Sequence, residues 1–366
     1  ALLKKMEVLL IDECSMMRAD ILDAIDESLR KNRGNNKVFG GVQVVMFGDL
    51  LQLSPIVNQN LEGDVMKSIY PDGSYFFNSQ VFYQSNFKIN ELTKIFRQSD
   101  KSFIDLLNKF RIAKVNDQDL AQINQRYQGP GFKVPKGVIL LSTTNAKVDK
   151  INNSKLAELD SKHFEYEGSI KGDFKEKDCP SPETLKLKVG AQVMLTQNDV
   201  GNEPRRWSNG TLAIIHELKP NSISIKIKDE VFVLGKSRWD KIQFTVASDE
   251  IKRKVVATFS QYPLKLAWAS TIHKSQGQTF EKVAIDLDRG SFAHGQTYVA
   301  LSRAKSMEGI YLVRKIAYKD LIFDEKVFDF LGQDLEAKNM KQVTKKNEAS
   351  EYASNLPYDE DYNQDS

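Results

Sequence analysis

The chain has 366 residues, 41% of them hydrophobic and 28% charged, an ordinary balance for a folded protein with room for two or three cores. No run approaches the ~18 consecutive apolar residues of a membrane span, no secretory signal pattern opens the chain, and two cysteines far apart, Cys14 and Cys179, exclude a disulfide framework and suit a reducing compartment. Beyond Lys346 there are six carboxylates and no basic residue, so the preceding part sets 52 basic residues against 43 of the 49 carboxylates, a mild lean toward a polyanionic partner.

The apolar run Val8–Ile11 is short enough for a buried parallel strand and ends in two carboxylates, Asp12 and Glu13. In open α/β sheets ligands bind beyond the carboxyl ends of the strands. There an aspartate can hold Mg²⁺ and a neighbouring glutamate can align or deprotonate a water. Taken alone, the pair could equally cap the next helix. Residues 16–33 carry Met17, Ile21, Leu22, Ile25 and Leu29 on one helical face, with Ser15 as N-cap. A polar loop, 32–41, leads to a second strand, 42–47, followed by Gly48, Asp49 and Gln52. Strand, helix, loop, strand is a parallel α/β pattern. Two strands with polar tips suggest one shared site.

A short helix is expected at 64–69. The aromatic run Tyr75-Phe76-Phe77 suits either base stacking or packing between domains. Helices at 101–112 and 117–128 precede a strand at 138–142, whose end, Thr143-Thr144-Asn145, opens a long helix. Hydroxyls and amides at such a junction can hold a phosphate at the helix N-terminus or simply cap it. From 161 to 262 helical periodicity fades, and β-type runs appear at 192–196, 211–218, 222–227, 231–234 and 255–262 between turn signals. This region carries Arg206 beside Trp207 and Arg238 beside Trp239, which suits a strand-binding surface. His273 has no metal partner nearby, so zinc is not expected. A helix from about Ala293 would place Arg303 eleven residues in, and a strand at 309–313 and a helix at 325–331 follow. Residues beyond about 344 read as a disordered acidic tail. No Gly-x-x-x-x-Gly-Lys-Ser/Thr loop occurs; Gly235-Lys236-Ser237 lacks its first glycine, Glu230 standing there, and reads as a strand end.

Five segments in order resemble motifs II to VI of the Pif/RecD-like DNA helicases of superfamily one. They are Asp12-Glu13-Cys14-Ser15, Phe39-Gly40-Gly41 with Phe47-Gly48-Asp49-Leu50-Leu51-Gln52, Glu91 to Gln98, Leu264 to Phe280, and Gly295 to Ala304. Ser54 stands where that family usually has the first of two prolines. The resemblance implies an α/β protein with two RecA-like P-loop NTPase domains, the first (1–86) incomplete and lacking the Walker A strand and loop. The second (87–184 and 251–332) carries a small β-barrel insertion (185–250), with a polar tail at 333–366. It implies an ATP-dependent DNA helicase of 5′-to-3′ polarity acting in replication, repair or recombination, a monomer in the bacterial cytoplasm, or in a nucleus or mitochondrion if eukaryotic.

Its cofactors would be ATP and Mg²⁺ and its partners single-stranded and forked DNA. Asp12 would hold the metal, Glu13 orient water, Gln52 sense the γ-phosphate, and Arg97 and Arg303 neutralise transition-state charge. Gly48, Asp49, Gly277 and Gln278 would complete the nucleotide site. Thr143, Thr144, Asn145, His273, Lys274, Ser275, Gln276, Arg206 and Trp207 would contact DNA. In that family the phosphate loop precedes motif II, so the expectation is a fragment of a longer motor. A binding protein that has lost its motor and a split motor completed by a second polypeptide remain open.

Overall fold

The computed structural model describes residues 2–58, 62–175, 178–200, 204–247 and 250–332; the tail expected at 333–366 lies outside them. A first cluster is built from α1 (Leu2–Lys5), β1 (Val8–Ile11), α2 (Ala19–Arg33), β2 (Gln43–Met46), α3 (Gly63–Ile69) and α4 (Gln80–Gln84). β1 and β2 pair in parallel, Ile11 opposite Met46, so the polar tips after both strands lie side by side. α2 buries Ala19, Leu22, Asp26 and Leu29, a three-four-three spacing.

The expected start of α2 is corrected. Glu13 takes a left-handed φ of 52°, residues 14–16 form a 3₁₀ turn, and Met17 is extended, so the helix begins three residues later than its periodicity suggests. Ser15 is therefore no cap and is buried, while Ile21 is exposed. At the other end Asp26 accepts from the Phe39 N–H at 2.6 Å, and Arg33 donates to the Leu3, Lys4, Met6 and Gly40 carbonyls. These bonds hold the Phe39-Gly40-Gly41 corner that feeds β2.

Tyr75, Phe76 and Phe77 are buried, with Phe77 stacked on Phe330 at 4.3 Å, so the packing reading holds and the base-stacking one does not. Phe330 belongs to α9 (Glu325–Leu331), which lies late in the sequence yet closes this first cluster through Val327 and Phe328.

The second cluster contains α5 (Lys101–Arg111), α6 (Asp117–Asn124), β3 (Ile139–Ser142) and α7 (Asn145–Ala157). The strands between α7 and residue 266 are β4 (His163–Glu167), β5 (Ser169–Gly172), β6 (Thr184–Lys188), β7 (Gln192–Leu195), β8 (Leu212–Lys219), β9 (Ser222–Ile227), β10 (Glu230–Leu234), β11 (Ser237–Ala247), β12 (Glu250–Gln261) and β13 (Leu264–Leu266). They pair antiparallel, in the orders β10-β9-β8-β7-β13, β11-β12-β5 and β4-β6. Leu185, Val193, Ile215, Ile225 and Leu264 supply a core of their own. The chain then returns as β14 (Ala269–Thr271), β15 (Val283–Asp286), α8 (Gln296–Ser302) and β16 (Ile310–Leu312), giving a four-stranded parallel sheet in the order β14-β3-β15-β16. Every residue of β3 and β15 is buried, as strands covered on both faces require. Gly235 ends β10, as its sequence setting suggests.

Candidate nucleotide and nucleic-acid site

Asp12 and Glu13 leave the tip of β1 beside the tip of β2. The Cys14 N–H donates to the Phe47 carbonyl at 2.9 Å, locking the two tips together. The contact is too close for any side chain at Gly48, where a Cβ would sit 2.8 Å from Cys14 Sγ. Burial pushes the Cys14 thiol up to about 11, with Glu13 and Asp12 acting the same way. Asp12 Oδ1 accepts the Glu13 N–H at 2.9 Å. Glu13 keeps its left-handed backbone, a strained geometry of the kind that persists where surroundings impose it.

Asp49 is fully engaged. Arg111 at the end of α5 grips it through Nε at 3.2 Å and Nη2 at 3.0 Å, and Gln52 Nε2 donates to it at 3.1 Å. Burial works against the charge on Arg111, and the Asp49 carboxylate more than offsets it. Gly48 and Asp49 therefore shape the loop, and Asp49 is committed to protein partners.

The residues facing these tips come from 272–303. Gln276 Nε2 donates to Glu13 Oε2 at 2.9 Å across the seam. Arg303 is 1% exposed and follows α8 as its C-cap; α8 starts at Gln296, because Gly295 turns the chain at φ 68°. Its guanidinium donates to the carbonyls of Val299 and Gln278 and to Ser302 Oγ. Burial first, then repulsion from Arg97, lowers Arg303 to about 10, while Tyr298, Glu13 and Asp49 pull the other way. Arg97, Arg303, Glu13 and Asp49 thus share one electrostatic neighbourhood. Arg97 is exposed at a bend outside the helices and strands, while its neighbour Gln98 is buried and donates to the Ser302 and Ala304 carbonyls at 3.2 and 2.9 Å.

The expected Gln278 role is corrected at the side-chain level. Its amide lies against Gly210 and points to Met194 Sδ at 3.7 Å, and only its backbone carbonyl reaches Arg303. Gly277, at φ 77°, makes the turn that separates the two glutamines.

Of the expected DNA contacts, Asn145 and Lys274 are exposed, Thr144 and His273 are half-buried, and Thr143 is buried. Ser275 is withdrawn from any surface role: it is fully buried, with its hydroxyl on the Ile272 carbonyl. Gln276 donates to Glu13 and also lines the cleft onto which Lys274 opens. Arg206 and Trp207 are also corrected. Trp207 is 8% exposed under the Arg206 guanidinium at 4.4 Å, and Arg206 is held bidentately by Asp199 at 2.8 and 2.7 Å. The pair covers its own sheet, so no indole face is offered to bases. Lys274 opens instead onto a cleft of about 490 Å³ shared with Lys265, Asn209 and Thr196. Burial and the Lys274 charge lower the Lys265 pKa.

Sequence reading missed Arg111, Gln98 and His294. His294 Nε2 meets the Leu50 carbonyl at 2.9 Å, and Nδ1 accepts the Asp324 N–H at 2.9 Å. Basic residues closing an amphipathic helix were visible at Arg111, but nothing in the spacing names its partner.

Two acidic strand tips facing paired arginines from a second α/β unit define the class of RecA-like nucleotide-dependent motors. The profile for PIF1-like helicase matches residues 1–121. The chain is 31% identical to the ATP-dependent DNA helicase Pif1 of Bdellovibrio bacteriovorus, over 90% of this chain and 71% of that protein. It is 33% identical to human ATP-dependent DNA helicase PIF1 over 82% of this chain but 45% of that protein, so it spans about half the length of its vertebrate relatives. A Bacteroides Pif1 solved with ADP-AlF4 is 39% identical, with a TM-score of 0.80 over 92% of this chain and 77% of that one; a Bacteroides Pif1 bound to single-stranded DNA gives 0.67. The chain belongs to the PIF1-like helicase family.

Proposed function

We propose that the chain is the ATP-hydrolysing and strand-gripping part of a DNA helicase. It would move 5′ to 3′ on single-stranded and forked DNA as a monomer inside the cell, in replication, repair or recombination. The observation that carries this reading is Arg303, a buried cation at the seam whose electrostatic neighbours are Arg97, Glu13 and Asp49. Its guanidinium is buried, bonded to neutral groups and repelled by Arg97, as suits a group waiting for anionic phosphates.

A lone strand-tip carboxylate fits Mg²⁺, which is usually bound through one or two carboxylates plus substrate phosphates. No cluster of three or more potential ligands occurs among the described residues to hold a metal without them. Asp12 would hold the ion, which when bound would supply charge neutralisation to the phosphates. Glu13, once freed from Gln276, would accept a proton from the attacking water. Gln52, tied to Asp49, would read the γ-phosphate. Arg97 and Arg303 would stabilise the developing charge, a role worth about 10³–10⁵ in rate. We assign residues 1–86 to a first RecA-like domain, 87–184 and 251–332 to a second, and 185–250 to a barrel insertion, with α9 reaching back to the first.

The test is single-stranded-DNA-stimulated ATP hydrolysis. The 366 residues hold no Gly-x-x-x-x-Gly-Lys-Ser/Thr loop, so we expect weak hydrolysis alone and strong hydrolysis when such a loop is supplied on the same or a second polypeptide. In that active form Glu13→Gln and Arg303→Ala should abolish hydrolysis while leaving DNA binding within about twofold. An unchanged rate removes the residue from its role. DNA binding without hydrolysis in the loop-supplied form would favour a binder that has lost its motor.

A further inference from the structure

Gln52 lies in a loop that crosses between two cores. Leu51 is buried in the first cluster and Leu53 in the second, so the residue between them takes its position from whatever fixes the loop. Within the loop, the Gln52 N–H donates to the Asp49 carbonyl at 2.9 Å and its side-chain amide to the Asp49 carboxylate at 3.1 Å. From the second unit, Arg111 grips Asp49, and Gly295 abuts the Leu51 and Gln52 carbonyls. The carbonyl between these two grips, that of Leu50, is left to His294.

His294 is 4% exposed, and the rings of Phe323 and Phe328 stand T-shaped to it at 6.4 Å. Its two ring nitrogens have opposite duties. Nδ1 receives the Asp324 N–H at 2.9 Å, and an amide N–H can only donate, so Nδ1 carries no proton. The imidazole proton therefore sits on Nε2, which donates to the Leu50 carbonyl at 2.9 Å. Burial lowers the His294 pKa, which favours the neutral ring that this arrangement requires. Behind the ring, Asp324 caps α9 through the Lys326 N–H and accepts the Tyr75 hydroxyl at 2.8 Å. Hydrogen bonds thus run from Tyr75 through Asp324 and His294 to the loop that carries Gln52.

We infer that His294 is a positioning residue for Gln52, fixing the Leu50 carbonyl against α9 so that the Gln52 side chain is held at the seam for the γ-phosphate. It acts through the main chain, two residues from the group it places. The inference rests on the reading of Gln52 as the γ-phosphate sensor and names what holds that sensor. A histidine that only seats α9 would need the Asp324 bond and not the Leu50 one. Two variants tell these roles apart. In His294→Gln the side-chain amide reaches the place of Nε2 and can donate to Leu50, giving up the Asp324 N–H. In His294→Asn the side-chain oxygen replaces Nδ1 and keeps the Asp324 N–H, giving up Leu50. Each leaves one buried group unpaired, so both should lose stability alike in thermal unfolding, and only the rate separates them.

The assay is ATP hydrolysis stimulated by single-stranded DNA in the form supplied with the phosphate loop, with kcat and KM determined separately. His294→Asn should lower kcat roughly 10- to 100-fold with KM unchanged, the effect of a group displaced by up to about 1 Å from where the transition state needs it. His294→Gln should recover most of that loss. In a Gln52→Ala background His294→Asn should add nothing further, because its effect runs through Gln52. In the 366-residue chain itself, NMR of labelled histidine ring nitrogens should show His294 as the single form protonated at Nε2. Equal kcat in the two His294 variants, a lower kcat in His294→Gln than in His294→Asn, a full further loss in the Gln52→Ala background, or a ring protonated at Nδ1 would overturn the positioning role while leaving the nucleotide reading intact. A rate unchanged by Gln52→Ala alone would overturn the sensor reading, and no hydrolysis by the unmutated, loop-supplied protein would overturn the motor reading; this inference falls with either.

Discussion

Gly295 is a point where the two halves of the candidate site meet with no room for a side chain, and replacing it tests whether that approach is obligatory. The residue sits at φ 68°, and a Cβ there would lie 2.5 Å from both the Leu51 and the Gln52 carbonyl oxygens. Two costs follow from Gly295→Ala. The left-handed backbone costs a non-glycine residue roughly 1–2 kcal/mol. The collision adds an overpacking cost of about 1–3 kcal/mol, because backbone has to move on one side. The sum is about 2–5 kcal/mol. Gly34 separates the two costs: its φ is 61°, but nothing lies within 4 Å of its Cβ position. Gly34→Ala should therefore lose only the first part. Urea unfolding followed by circular dichroism gives both values, and nucleotide affinity should fall in Gly295→Ala alone, since the displaced loop carries Gln52. Equal destabilisation of the two variants would refute the close approach, and so the seam between α8 and the loop after β2.

Two more perturbations read the same region. Burial lifts Cys14 to about 11, so its thiol should be alkylated at least about 100-fold more slowly than an ordinary free thiol at pH 8, while the half-buried Cys179 reacts first; mass-spectrometric mapping decides, and fast labelling of Cys14 would mean that the strand tips open readily. Burial also depresses the His294 pKa, despite the Leu50 carbonyl, Asp324 and Asp49 favouring the charged form. The unfolded state then binds the proton more readily, so stability is complete above about pH 6.5 and falls as pH drops below it, by at most about 1.4 kcal/mol per unit from this residue. His294→Gln should flatten that slope, as measured by denaturant midpoints between pH 5 and 7.5, and an unchanged slope would exclude His294 as its source.

Local signals were legible and long-range ones were not. Helix α9 begins and ends where its letters say, because Asp324 caps it through the Lys326 N–H and Gly332 stops it at φ 64°. That it packs against Phe76 and Phe77, some 250 residues earlier, has no local signature; in sequence it reads as the end of the second unit. The carboxylates at the tip of β1 were visible as polar letters after an apolar run, and the arginines through their motif. Their supports were not: Arg111 to Asp49 spans 62 positions, Gln98 to Ser302 spans 204, and His294 to Leu50 spans 244. Arg206 and Trp207 misled for a related reason. A cation beside an indole has the same spelling whether it greets a base or covers its own sheet, and only the Asp199 carboxylate, buried beneath it, decides.

The stretch from His273 to Arg303 touches both proposed ligands, which sets a condition on how they influence each other. His273 and Lys274 lie in the turn proposed to contact the strand, while Gln276 holds Glu13 and Arg303 lies buried at the seam. In the proposed mechanism Glu13 would leave Gln276 before aligning water, and that release would free the turn carrying His273 and Lys274. Binding of a nonhydrolysable nucleotide and of a strand should therefore be coupled, and linkage requires the two reciprocal factors to be equal. An exposed hydrogen bond to a carboxylate contributes on the order of 1 kcal/mol, or about fivefold in affinity. Gln276→Ala should reduce both factors by that same amount, as measured by titrating each ligand in the presence and absence of the other. A coupling factor untouched by Gln276→Ala would mean that the message between the sites travels elsewhere, and that the contact with Glu13 is incidental.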